Sequence, residues 1–464
     1  MPDHDFLTWS VGELIAAYKK RVVSPLEVTS EFLDRIALFD PDLHAFVAVT
    51  RDLALDQASA AEQRYRDGNT APLLGIPTSV KDVFHVKGRV TTLGSLFHQE
   101  DVAAEDSGVV RRLRAAGAVF TGKTNTAEFG QSATTDNRLG PDTRNPWELA
   151  RTPGGSSGGA AASVAARLSV VAVGSDGGGS VRIPAAFTGL FGFKATQGLC
   201  PDEDGFRAMT DFICPGPLAA TVSDARVMLG VLADRAYARN SRLACLRVGY
   251  CPRPEGRPVG AGVLAAVDAT ATVLESLGHH IEVIDPDLGG WNEIFAPLVL
   301  EDERRERRHL LERSEMLTSY ERSSLVGALE LDPAAVQVAR EGLASYRERI
   351  DRLLSTCDLL LTPVTAVPAF PLGERPESVA GAEVDQLWGA FPFAVPFSVG
   401  GVPAASLPCG FDDGLPVGAQ LVARRGSEEL ILDVCEDLEE AIAFDRSPVL
   451  ERWSASPEGS RAAG

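Results

Sequence analysis

The chain has 464 residues, 45% of them hydrophobic, with 44 Lys and Arg against 64 Asp and Glu and a formal net charge of -20. That balance excludes binding to nucleic-acid backbones through basic patches, while the apolar share is ordinary for a globular chain with a substantial core. The longest apolar region, 160–173, is interrupted by Arg167 and falls short of a bilayer span, so no membrane partner is expected. Amphipathic helices are predicted over 11–21 and 25–39; Ser24 and Pro25 supply an N-cap and a first-turn proline for the second. A helix rich in alanine and charge follows over 52–66, then a strand pair over 73–83 broken at Gly75 and Pro77. A helical pattern over 109–116 precedes the apolar run Ala118-Val-Phe120, which reads as a buried strand. A small-residue helix starts at Gly158, and a buried strand over 169–173 delivers the segment that follows it. Helices then alternate with short strands over 247–250, 281–284 and 359–362, a rhythm that argues an α/β sheet covered on both faces. From 291 to 356 the chain reads as helical and charged, with opposite charges three and four apart.

Three stretches carry chemistry. They are Gly75-Ile-Pro-Thr-Ser-Val-Lys81, Thr152-Pro-Gly-Gly-Ser156-Ser157-Gly-Gly159, and Gly174-Ser-Asp176-Gly177-Gly178-Gly179-Ser180-Val-Arg182. A lysine in an apolar strand, a serine in a glycine turn and a serine after three glycines have the chemistry of a base, a relay and a nucleophile. Serine is a poor nucleophile until a base takes its proton. Holding an unperturbed lysine neutral at pH 7 costs about 4–5 kcal/mol, which burial can supply. Ile76, Val80 and Val83 are apolar neighbours, and strand alternation turns Asp82 to the face opposite Lys81. The backbone N–H groups of Gly177, Gly178, Gly179 and Ser180 are candidates to hold a developing oxyanion. Asp176 and Arg182 flank this loop, either paired as a brace or facing solvent.

In this order and spacing, with 24 residues from Ser156 to Ser180, the motifs resemble the amidase signature family of serine hydrolases. The likeness extends through Asp106–Asn125, Glu128-Phe129, Asn145-Pro-Trp147, Pro184–Lys194, Gly401-Val-Pro-Ala404 and Gly414–Gln420, running from about Leu7 to about Glu440. The resemblance implies an α/β fold: a single compact domain with a mixed, mostly parallel twisted sheet of about eleven strands, covered by helices on both faces. Its parts would be a helical N-terminal segment 7–68, a catalytic core 70–230, a variable helical segment 291–356, a C-terminal core 357–445 and a frayed tail 454–464. It implies Ser180 as nucleophile, Lys81 as general base, and Ser156 as relay with a cis bond after Gly155. Ser157 is the alternative relay, and Gly177–Gly179, Asp176 and Arg182 are supporting residues. No cofactor or metal is implied, and a homodimer remains open.

Other motifs weigh less. Gly117-Ala-Val-Phe-Thr-Gly122-Lys123-Thr124 satisfies the P-loop pattern, but its apolar centre reads as strand rather than phosphate-cradling loop. The seven histidines lack a nucleophile-elbow context, and no zincin or paired-cysteine metal pattern occurs. Seven scattered cysteines and the absence of an apolar leader in the first residues give cytoplasm as the expected compartment. The expected function is a stand-alone amidase, acting on an amide or, as alternatives, an ester or aryl carbamate. The competing reading is the glutaminase subunit of a tRNA-dependent amidotransferase that delivers ammonia to a partner. The first is favoured because 301–349 does not resemble the tyrosine-rich segment associated with that subunit. Phe129, Phe187, Phe391 and Phe393 either meet an apolar or aromatic acyl group or belong to the core, and Phe295, Leu298, Leu325 and Leu329 either line the entrance or pack their helices on the core.

Overall fold

Two capping boxes start the chain. Ser10 and Ser24 each accept the backbone N–H three residues on, while Glu13 and Glu27 reach back, opening helices Val11–Lys20 and Pro25–Leu43. The computed structural model describes residues 6–240 and 243–454, so the start of the chain and most of the expected tail lie outside the described residues.

The strands are β1 Phe46–Val49, β2 Pro77–Lys81, β3 Val119–Thr124, β4 Val171–Asp176, β5 Phe191–Lys194, β6 Cys214–Ala219, β7 Arg247–Tyr250, β8 His280–Val283, β9 Leu359–Pro363, β10 Ser378–Val379, β11 Ala382–Glu383, β12 Ala404–Asp412 and β13 Leu415–Val422. Among the described residues, eleven of them form one mixed sheet ordered β1-β3-β2-β4-β6-β5-β12-β13-β9-β7-β8; β10 and β11 pair separately. The strand count matches expectation. The mostly parallel character does not: six pairings in the large sheet are antiparallel and four are parallel. Short connections explain part of this, because two-residue hairpins join only antiparallel strands. Asp413 (φ 51) and Gly414 (φ 75) form such a turn between β12 and β13.

The expected strand pair over 73–83 reduces to β2. Gly75, at φ 76, turns the chain just before it, and all five β2 residues are buried. The P-loop pattern falls on β3, with Lys123 buried inside the sheet. Parallel pairing of β2 with β4 (Thr78↔Val171, Val80↔Val173) brings Lys81 and Ser175 out at one edge. The helix Gly158–Ala165, all of it buried, packs against both strands. Its small residues permit that close approach. The charged segment after Trp291 is helical as expected, with helices Asn292–Arg307, Ser319–Glu330 and Pro333–Thr356.

Candidate active site

Lys81 ends β2 with its side chain wholly buried. Its Nζ donates to Ser156 Oγ at 2.7 Å and to Ser175 Oγ at 2.9 Å. Burial pushes the amine down from 10.5 to about 7, and the charge of Asp176 only partly opposes that shift. Asp82 takes the other face of the strand, pairing at 2.5 Å with Lys123, as alternation predicts.

The Gly155–Ser156 peptide bond is cis. Thr135 clamps this turn, its hydroxyl donating to Gly154 O at 2.8 Å and accepting from Gly158 N at 2.9 Å. Ser157 is not brought to the lysine. Its hydroxyl donates instead to Ser175 O at 3.2 Å, and its backbone N–H donates to Ser180 O at 3.3 Å.

Ser180 lies between β4 and the helix Arg182–Thr188, 7% exposed, on the wall of a cavity of about 190 Å³. Gly130 borders the same cavity, and a Cβ placed there would stand 3.5 Å from Ser156 Oγ and 4.0 Å from Lys81 Nζ. One glycine thus touches both the lysine–serine pair and the space in front of Ser180. A second cavity of about 280 Å³ also includes Gly130, together with Ser175 and Phe129. A larger cavity of about 930 Å³ omits Ser180 but shares Ser132 and Tyr320 with the Ser180 cavity.

The glycine loop is braced from within. Arg182 grips Asp176 in a bidentate pair at 2.8 and 2.9 Å, with both side chains fully buried. Arg182 also donates to Ala394 O, to Gln420 Oε1 at 2.7 Å and to Ser398 Oγ at 2.8 Å. Burial alone would raise the Asp176 carboxyl, but the Arg182 charge and hydrogen bonds hold it at about 2. The same carboxylate accepts the N–H groups of Gly179 (2.8 Å), Val181 and Arg182. Gly179 is therefore corrected as an oxyanion donor, since its N–H is committed to Asp176. Gly177, Gly178 and Ser180 have backbone N–H groups with no protein acceptor among the described residues. Gly179 itself, at φ 119, admits no side chain, because a Cβ would stand 2.7 Å from that of Ala394.

The four candidate phenylalanines do not line the Ser180 cavity. Phe187 and Phe391 pack on one another and on Phe370, with centroids 5.6–6.2 Å apart, while Phe393 is core. Phe129 borders the second cavity. Of the entrance candidates, Phe295 lines the Ser180 cavity, Leu298 and Leu325 are core, and Leu329 is exposed. Met209, Val299, Leu300 and Trp388 line it too, contributed by segments without motif character.

Comparison with known proteins fits this geometry. Residues 27–432 match the family model described as Amidase. The chain belongs to the amidase signature family. It is 33% identical to a glutamyl-tRNA(Gln) amidotransferase subunit from Carboxydothermus hydrogenoformans, over 94% of this chain and 98% of the relative. A crystal structure of an amidase superposes with a TM-score of 0.88 at 30% identity, covering 94% of this chain and 100% of that one. A bacterial aryl acylamidase of the amidase signature family follows at 0.87 and 27% identity, covering 97% and 99%. Among the described residues, no helix is long and apolar enough to cross a membrane.

Ser175, Ser398 and Gln420 are site residues that the motif reading did not assign. Ser175 lies inside the third motif, and Gln420 ends the segment Gly414–Gln420, so their neighbourhoods were visible while their roles were not.

Proposed function

We propose that this family member hydrolyses amide bonds through an acyl-enzyme on Ser180. The single observation that carries this reading is a wholly buried Lys81 amine, hydrogen-bonded to hydroxyls and not to a carboxylate, 2.7 Å from Ser156 Oγ. Near pH 7 about half of such amines are neutral and able to take a proton. Ser156 passes the Ser180 proton to Lys81 as the Ser180 oxygen bonds to the carbonyl carbon. The N–H groups of Gly177, Gly178 and Ser180 stabilise the resulting oxyanion. Collapse breaks the C–N bond, and the proton returns from Lys81 through Ser156 to the departing nitrogen. Water then attacks the acyl-enzyme along the same path, releasing the acid and restoring Ser180.

Two substrate readings rest on different observations. Phe295, Val299, Leu300 and Trp388 around Ser180 support a stand-alone amidase taking a largely apolar acyl group, with esters and aryl carbamates as further substrates of the same chemistry. The name of the Carboxydothermus relative supports the glutaminase reading, in which a partner receives ammonia. Our reading is the stand-alone amidase, on the character of the cavity, while the shared name of relatives such as those of Carboxydothermus hydrogenoformans and Nostoc punctiforme favours the glutaminase reading. A panel of primary amides, p-nitroanilides, aryl carbamates and glutamine tests it. Turnover of apolar amides by the isolated protein is expected, with a serine-directed sulfonyl fluoride adding to Ser180 by mass spectrometry. Glutaminase activity that appears only with added partner proteins, and no turnover of other amides, overturns it.

A further inference from the structure

The Ser180 cavity is mostly apolar, but its lining includes a carboxylate, that of Glu303. Phe295, Val299 and Glu303 stand at successive turns of the helix Asn292–Arg307, and all three line the cavity. The Phe295 ring marks the catalytic end, since its Cζ lies 3.2 Å from the Cβ position of Gly178. Glu303 lies eight residues further on, about 12 Å along the helix axis. It is 1% exposed. Its Oε2 accepts from Ser324 Oγ at 2.6 Å, and Ser324 also lines the cavity. Its Oε1 has no hydrogen-bond partner among the described residues; the nearest cation, Arg307 Nη2, stands 4.0 Å away.

That Nη2 makes no hydrogen bond among the described residues, and the rest of the Arg307 side chain is engaged elsewhere. Its Nε donates to Glu321 Oε1 at 3.3 Å, its Nη1 to Arg207 O, and its guanidinium lies over the Phe129 ring at 5.0 Å. Glu128 adds a third buried carboxylate, which accepts from Ser95 and from the backbone of Thr318. Glu303 and Glu321 thus share Arg307 as their cation, and the charge of Glu128 also acts on Glu321. Burial pushes Glu303 and Glu321 upward, and for Glu321 the charge of Glu303 adds to this. A ligand cation would relieve that state.

We propose that Glu303 is a specificity-determining residue whose free oxygen receives a protonated amine at the far end of the substrate's acyl chain. The preferred substrates are then amides whose acyl part is an apolar spacer ending in an ammonium group. This deepens, and rests on, the reading of Ser180 as nucleophile. The walls accommodate the methylenes, and the carboxylate takes a charge that an all-apolar pocket would exclude.

The test compares 5-aminopentanamide with hexanamide, near-isosteric amides that differ in a terminal ammonium or methyl group. The wild-type enzyme is expected to favour the aminated amide by about tenfold or more in kcat/KM, and Glu303→Gln to bring the ratio within about twofold of one. A wild-type ratio near one, or a preference that survives in Glu303→Gln, overturns the proposal. Should Glu303→Gln fail to fold, inhibition of wild-type hexanamide turnover decides. Butylammonium must inhibit more strongly than butan-1-ol, and equal inhibition refutes the subsite. If neither amide is turned over, calorimetry with Ser180→Ala reads the subsite alone, with tighter binding of 5-aminopentanamide expected and equal affinity overturning it. Turnover without preference sinks the subsite and spares Ser180; preferential binding without turnover does the reverse.

Discussion

Replacing Lys81 by methionine is expected to abolish turnover and to stabilise the fold near neutral pH. Burial lowers this amine from 10.5 to about 7, which corresponds to about 5 kcal/mol against the charged form. The unfolded chain keeps the ordinary value, so between about 7 and 10.5 it binds more protons than the folded chain. The lysine therefore destabilises the fold fully below about pH 7, and that penalty fades as pH rises toward 10.5. Methionine removes a penalty of about 4 kcal/mol at pH 7 and about 3 kcal/mol at pH 8.5. It also removes the hydrogen bonds to Ser156 and Ser175, at about 1 kcal/mol each. The net gain is about 2 kcal/mol at pH 7 and under about 1 kcal/mol at pH 8.5. Urea unfolding of both proteins at the two pH values measures this. In parallel, wild-type kcat/KM on an apolar amide should rise about tenfold per pH unit below 7 and level off above about 8. A Lys81→Met protein less stable than wild type at pH 7, or a flat chemistry-limited profile, refutes the buried neutral amine.

Ser156→Ala should lower kcat by about 10²–10⁴-fold with little change in KM, as expected for a proton relay; a loss below about tenfold in steady-state kinetics would remove it from the path. Asp176→Asn leaves Arg182 buried without its carboxylate and should cost about 3–5 kcal/mol in urea unfolding. Because the Asp176 pKa is depressed from 3.8 to about 2, its contribution of about 2 kcal/mol is present above pH 4 and lost as pH falls toward 2. The acid-unfolding curve of Asp176→Asn should therefore be shallower than that of the wild type across that window. Gly179→Ala should lower both turnover and thermal stability, since the backbone at φ 119 and the Ala394 Cβ at 2.7 Å leave no room for a methyl group. Unchanged activity in that variant would show that the loop can move aside.

The site was legible where its chemistry sits in short contiguous runs. The Asp176–Arg182 pair spans seven residues and the Ser156 turn eight, so their spacing survives any tertiary arrangement. Strand β7 was found to the residue, and β8 and β9 to within one, because each is a short apolar run between helices. What stayed hidden depends on which distant strands lie side by side. Gln420 reaches Arg182 across 238 residues of chain only because β13 pairs with β12, which in turn pairs with β5. Strand direction was misjudged for the same reason, since short apolar strands read alike whether parallel or antiparallel. Phenylalanine identity likewise does not distinguish cavity from core. Phe295 reaches the cavity because its helix crosses Gly178, whereas Phe187 and Phe391 satisfy one another.

The contrast between two neighbouring buried lysines carries the chemical argument further. Lys81 and Lys123 emerge from adjacent parallel strands, and burial lowers both. Lys123 meets the Asp82 carboxylate at 2.5 Å, an ion pair that holds its proton. Lys81 meets two hydroxyls, while the Asp176 charge nearby is already neutralised by the bidentate Arg182. The strand pleat makes the difference, since Lys81 and Asp82 are consecutive and must face opposite ways. One inserted residue in β2 would exchange the partners and leave the catalytic face with a carboxylate in place of an amine. Arg182 therefore does more than brace a loop. By claiming Asp176 it denies Lys81 the counter-charge that would keep the amine protonated, and Arg182→Met should raise the pH at which activity appears. A midpoint that stays near 7 in Arg182→Met would mean that desolvation alone sets the lysine, independent of that pair.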